Sequence, residues 1–170
     1  MEERRGPGET KEKGNTSSKK IFIDRLFHLP LNKIWHAWTQ PESLKKWWGP
    51  KDFTCPFASM DFRIGGKYLY CMRSPEGEET WTTGIFKEID PYKKLFFTDS
   101  FSNKKGNILP ASALDMPGEW PLELLIMVTF TEEGENTRIA LQHEGVPAEM
   151  YENCIAGWNE FFDKLDRNIE

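Results

Sequence analysis

Hydrophobic and polar positions change their spacing several times along this chain, and each change predicts a boundary between elements. Ile21, Ile23, Arg25 and Phe27 alternate with Phe22, Asp24, Leu26 and His28, a period of two with apolar groups on both faces. This predicts a strand partly covered on each side. Pro30 then suits the first turn of a helix, and Ile34, Trp35, Ala37 and Trp38 recur at helical spacing until Thr39-Gln40-Pro41 interrupts them. A second short helix after Pro41 carries Leu44, Trp47 and Trp48 and ends at Gly49-Pro50. The period returns to two over 57–64, 66–73, 79–89 and 94–101, with tight-turn chemistry at Ser74-Pro75-Glu76-Gly77 and Asp90-Pro91-Tyr92, so an antiparallel meander is expected. From Ser102 to Pro121 no period holds, and the stretch reads as a mobile lid or a wide surface loop. Two further strands, 122–131 and 137–144, flank the turn Glu132–Asn136. Beyond Pro147, Met150, Cys154, Trp158, Phe161, Phe162, Leu165 and Ile169 fall three or four apart or side by side, the pattern of one long amphipathic helix. At about 1.5 Å per residue it spans roughly 30 Å, enough to cross a sheet.

The order is strand, two short helices, six strands, long helix. It predicts an α+β domain in which a curved antiparallel sheet of six to seven strands wraps around a long C-terminal helix, the two short helices after the first strand plugging the gap at one end. Residues 1–18 are rich in Glu, Lys, Gly and Ser with no large apolar side chain after Met1, too little to offset the entropy of folding. A disordered tail is expected there, and a single domain over 19–170.

Composition adds an aromatic character. Seven Trp and twelve Phe in 170 residues, each able to bury roughly 150–250 Å², call for a heavily aromatic core or a cavity with aromatic walls. The formal charge of -5 includes a basic start, for the first twenty residues hold six Lys/Arg against four Asp/Glu; the rest is more acidic still. Such a body repels phosphates, and no recognition motif for DNA or RNA is present, so nucleic acid is not an expected partner. The first residues lack the apolar centre of a signal peptide, and nowhere do eighteen apolar residues run together, so a cytoplasmic location without a membrane role is expected. Cys55, Cys71 and Cys154 are widely spaced and read as reduced, mostly buried thiols. His28 and His36 do not have metal-ligand spacing, and neither a phosphate loop nor a nucleophile elbow occurs, so no metal and no cofactor are expected.

Candidate functional residues follow from faces. Adjacent residues on a helix diverge by about 100°, so of Trp47 and Trp48 one ring can pack beneath the helix while the other lies across a cavity mouth, or both can simply seal the core. Alternation puts Tyr68, Tyr70 and Met72 on one strand face against Lys67, Leu69, Cys71 and Arg73, and the charged residues mark the outside. The two inward phenols are either hydrogen-bonded core groups or polar handles of a pocket. His143 shares its face with Thr137, Ile139 and Leu141, and Asp99 shares one with Leu95, Phe97 and Phe101, so both are inward polar groups with either a structural or a chemical role. Trp35, Trp81, Phe97, Trp158 and Phe162 complete the set expected to line a cavity and touch a ligand.

LPLNKIWHAWTQPESLKKWWGP, GGKYLYCMRSPEGEE, GIFKEIDPYKKLFFT and GWNEFFDKLDRNI resemble blocks of the family of homologues of the heat-shock-protein-90 ATPase activator, in the START-like or helix-grip superfamily. The resemblance runs from about Ile21 to Ile169. It implies a helix-grip fold with an internal cavity between sheet and terminal helix, and it implies no cofactor. Three functions are compatible with it. The first is a cofactor-free module binding a small apolar, aromatic or lipid-like molecule by burial in that cavity. The second is a regulator of a chaperone ATPase, with that chaperone as partner. The third is an enzyme of the cyclase or hydrolase kind using Tyr68, Tyr70, Asp99 or His143. A monomer or weak homodimer is expected in each case.

Overall fold

A computed structural model describes residues 18–169, with side chains from Lys20 onward. The expected disordered tail lies outside the described residues except for Ser18, which begins the first strand.

Strand β1, Ser18–Phe27, ends where Pro30, extended at ψ 156°, starts helix α1, Leu31–Thr39. The apolar stripe of α1, Ile34, Trp35, Ala37 and Trp38, is buried as its spacing requires. Gln40 turns extended before Pro41, as a residue preceding proline must, and the short helix α2, Pro41–Leu44, follows. Six strands come next: β2, Thr54–Met60; β3, Lys67–Arg73; β4, Glu79–Asp90; β5, Lys94–Ser102; β6, Leu124–Glu133; and β7, Asn136–Pro147. The chain closes with helix α3, Tyr151–Asn168.

The sheet has seven strands in the order β1-β7-β6-β5-β4-β3-β2, every pair antiparallel. Strands β2 to β7 therefore form the expected meander, and the return of the chain to β1 puts the first strand beside the last. Register shifts in the β1–β7, β2–β3 and β4–β5 pairs put an extra residue on β7, β2 and β4, the irregularity that bends a sheet. The α3 stripe of Trp158, Phe161, Phe162 and Leu165 is buried with the inner residues of the sheet, including Ile21, Phe27, Val128, Ile139 and Leu141. This is the helix-grip architecture.

The 102–121 segment is less open than its sequence suggests. Ser102 bridges back to Ile108, Ala111–Leu114 form a 3-10 turn, and Met116 N–H donates to the Ala111 carbonyl at 3.2 Å. Its three prolines suppress any period while still allowing a defined path. Among the described residues no helix is long and apolar enough to cross a membrane.

Candidate functional site

A cavity of about 290 Å³ lies between one end of the sheet and the first half of α3. Its walls come from elements already placed. Met72 from β3, Thr82 from β4, Asp99 and Phe101 from β5, Leu124 and Ile126 from β6 and His143 from β7 line the sheet side. Met150, Asn153, Cys154, Gly157, Trp158 and Phe161 line the helix side, and Trp48 with Pro50 closes one end. Met116 and Trp120 on the 102–121 segment also line the cavity, and Asn153 is the exposed residue of the lining.

The pair Trp47-Trp48 divides its work. Trp47 is fully buried, donates Nε1–H to the Ala37 carbonyl at 3.0 Å and meets Trp38 edge to face. Trp48 turns the other way, against Tyr70, Trp158 and Phe161, and reaches the cavity. Gly49, at φ +112°, lets the chain turn directly after Trp48, because a Cβ there would sit 3.1 Å from Phe53 in a backbone conformation that side chains disfavour. The α3 residue Lys164, 9 % exposed, donates to the carbonyls of Gly49, Pro50 and Phe53 at 3.1, 3.2 and 2.9 Å, which fixes this turn to the helix. Burial lowers its pKa.

Tyr68 and Tyr70 face inward but lie deeper than the cavity wall. Their rings stack at 4.3 Å, and Gly84 on β4 leaves the room, since a Cβ there would meet the Tyr68 ring at 2.5 Å. The ladder between β4 and β5 skips Gly84 and Ile85; there Ile85 N–H donates to Thr98 Oγ1, and the Tyr68 hydroxyl reaches the Thr98 carbonyl and Asp99 Oδ1, both at 2.8 Å. A phenol has one proton and a carbonyl none, so with Asp99 ionised the two oxygens share that proton, and each contact is a full hydrogen bond only when Asp99 carries a proton of its own. Desolvation favours that form and raises the Asp99 pKa to about 6, against the Tyr68 hydrogen bond, which lowers it. Burial first, then the Asp99 charge, pushes Tyr68 well above its ordinary range.

His143 is held differently. Trp158 Nε1–H donates to His143 Nδ1 at 3.0 Å, and an indole can only donate, so the neutral imidazole carries its proton on Nε2. Protonating Nδ1 would set two donors against each other, and burial lowers the His143 pKa to about 4. Nε2 is buried without a hydrogen-bond partner. Asp99 and His143 form no acid/base pair: the register puts them two strands and two residues apart, about 12 Å between Cα atoms at ordinary strand spacing. No groups that could together hold a metal ion occur among the described residues.

Of the residues expected to line a cavity, Trp48, Met72, Asp99, His143 and Trp158 do so. Trp35 packs at the far end against Phe62, Tyr92 and Phe130; Phe97 sits among Tyr68 and Phe86; Phe162 joins Phe27, Trp38 and Trp47; and Trp81 meets the exposed Phe57. Met116 and Trp120 give no periodic signal in the sequence. Gly157 had one: a residue without a side chain on the inner stripe of a long helix leaves space, and nothing lies within 4 Å of where its Cβ would be.

A family model described as activator of Hsp90 ATPase homolog 1-like protein matches residues 28–170. No curated protein matches the sequence. Among solved structures, a Chromobacterium violaceum protein superposes with a TM-score of 0.72 at 23% identity, covering 87% of this chain and 94% of that one. A Nitrosomonas europaea protein gives 0.71 at 22%, covering 87% and 92%. A protein from Silicibacter pomeroyi titled AHSA1 gives 0.71 at 20%, covering 88% and 96%. At these identities the likeness is one of fold.

Proposed function

Because this chain belongs to the activator of Hsp90 ATPase homolog 1-like family, we propose that it works as a cofactor-free binding module for a small apolar or aromatic molecule held between sheet and terminal helix. The observation that carries this reading is the cavity: about 290 Å³, open at one side, with mostly apolar walls and its polar groups few and separated. Burial of apolar ligand surface there contributes roughly 25 cal/mol per Å² removed from water. The separation of Asp99 from His143 weighs against a cyclase or hydrolase reading built on those two side chains within hydrogen-bond reach of one another; Tyr68 and Asp99 are the candidate pair that does meet.

Gly157 supplies the test. Native mass spectrometry of the purified chain, followed by thermal-shift titration with sterols, fatty acids and aromatic compounds, should find a retained ligand or a melting-point rise that saturates. In Gly157→Leu the added Cβ has no neighbour within 4 Å, so the new side chain starts in open space on the cavity lining, and helix propensity improves. The variant should melt no lower than the parent and lose the ligand effect. Absence of ligand and of any shift in the parent overturns the binding reading and turns attention to the chaperone, by pull-down with an Hsp90-type ATPase.

A further inference from the structure

One charge on the cavity wall has no counter-charge. Alternation along β5 turns Asp99 to the inner side of the sheet with Leu95 and Phe97, and its side chain lines the cavity. Oδ1 meets the Tyr68 hydroxyl at 2.8 Å. Oδ2 has no hydrogen-bond partner among the described residues, yet it is not one of their sealed polar atoms, and Asp99 as a whole is half-buried. On a face covered by α3, the surface it keeps belongs to the cavity. Cys154, on the α3 wall, registers the carboxylate: burial first, and then the Asp99 charge, push that thiol up to about 11.

The protein brings no cation to this group. No lysine or arginine lines the cavity, and the buried Lys164 donates to three backbone carbonyls instead. His143 of β7 is kept neutral by the Trp158 N–H on its Nδ1, and Tyr68 and Tyr70 of β3 and Cys154 of α3 are acids that burial keeps protonated. A carboxylate placed so weakens the fold at any pH where it is ionised. Its desolvation is already part of the folded state, so an entering cation has only its own desolvation to set against the attraction. Trp48, Phe101, Trp120, Trp158 and Phe161 border the same space, and aromatic rings attract a cation as well as an apolar body. An anion would meet a like charge and no counter-charge. Size adds a limit: at about 30 Å³ per water-sized group, the cavity's 290 Å³ holds on the order of ten such groups.

Resting on the binding reading above, we infer that the ligand is a small aromatic amine, one or two rings on a short alkyl chain, whose ammonium pairs with Asp99 Oδ2. The ammonium supplies the missing counter-charge, and the rings fill the apolar remainder.

Three compounds of nearly equal size and shape separate the claims: propylbenzene has no polar end, 2-phenylethanol has a neutral donor, and 2-phenylethylamine, protonated at pH 7.5, has a cationic one. Calorimetric titration of the full chain at that pH should give the amine about tenfold tighter binding than the alcohol. In Asp99→Asn, which keeps an oxygen for Tyr68, the amine should fall to the level of the alcohol or below it. The parent chain labelled with 13C-aspartate provides a second reading that needs no variant. At pH 6, near the midpoint of the Asp99 titration, its carboxyl resonance should move to the ionised position with the amine and stay in place with the alcohol. Equal binding of amine and alcohol, or binding of the hydrocarbon alone, overturns the claim of charge and leaves the binding module standing. An amine preference that persists in Asp99→Asn, or one without the resonance shift, overturns the role of Asp99. Absence of amine binding overturns this inference by itself, and the reading beneath it falls only if the sterols, fatty acids and other aromatic compounds fail as well.

Discussion

Asp99 and His143 are moved by the same force in directions that cancel. Desolvation disfavours the charged form of each, so the acid rises to about 6 and the base falls to about 4. For Asp99 the folded state holds its proton through a window where the unfolded chain has lost it, and stability falls as pH rises from about 4 to about 6. For His143 the unfolded chain takes up a proton that the folded state refuses, and stability falls as pH drops from about 6.5 to about 4. Together the two slopes nearly offset. Asp99→Asn keeps an acceptor for Tyr68 and removes one slope. By denaturant titration it should be more stable than the parent by about 2 kcal/mol at pH 7.5, a figure reduced from the full shift because the carboxyl borders a cavity, with the difference gone near pH 4. A difference independent of pH would mean that Asp99 does not titrate as its surroundings imply. Alternation in the sequence placed Asp99, His143, Tyr68 and Tyr70 on inner faces, where they are. It could not say which of them border the cavity, since a period of two fixes the face of a strand and not the distance along it.

At the scale of elements, α3 is both the centre of the core and one wall of the cavity, and Lys164 ties it to the turn that carries Trp48. An ammonium has three donors, and each carbonyl it meets takes one. Lys164→Met keeps most of the apolar stem and removes all three bonds, leaving the carbonyls of Gly49, Pro50 and Phe53 short of a donor. A loss of about 2–3 kcal/mol in denaturant unfolding is expected, along with altered Trp48 packing visible in the near-ultraviolet circular dichroism. An unchanged midpoint would show that water replaces the ammonium at no cost. Most elements were legible because each has a strong period, but the helix expected to carry Trp47 and Trp48 ends at Leu44, and the strand expected at 57–64 runs Thr54–Met60. The 102–121 segment was not legible: its prolines and tertiary contacts, rather than a repeat, shape it, and so Met116 and Trp120 on the cavity lining left no trace in the pattern. Lys164 was equally silent, since a lysine on an amphipathic helix ordinarily belongs to the solvent face.

Across the whole molecule the sheet has two unlike ends. At one, Trp35, Trp38, Phe130 and Ile139 fill the space under the sheet; at the other, residues of the same strands border a cavity. Truncation should register the difference. Ile139→Ala opens a void in close-packed surroundings and should cost about 4 kcal/mol, whereas Ile126→Ala, equally buried but already beside the cavity, enlarges an existing space and should cost about 2 kcal/mol. Equal losses in equilibrium unfolding would mean that the cavity end closes up in solution. The overall architecture could be read from element order and from the family resemblance together, whereas the division into a filled and a hollow end depends on side-chain volumes that no periodicity encodes. One aromatic assembly bridges the two ends. Trp38, Trp47, Trp48 and Trp158 form a chain of ring contacts between 4.9 and 6.4 Å, and its last members border the cavity. Indoles this close share their excited states, so light absorbed by a ring deep in the interior can be emitted or quenched at the cavity wall. The chain thus carries an optical antenna with one end on the cavity wall, and its fluorescence should report whether the cavity is occupied without any dye attached.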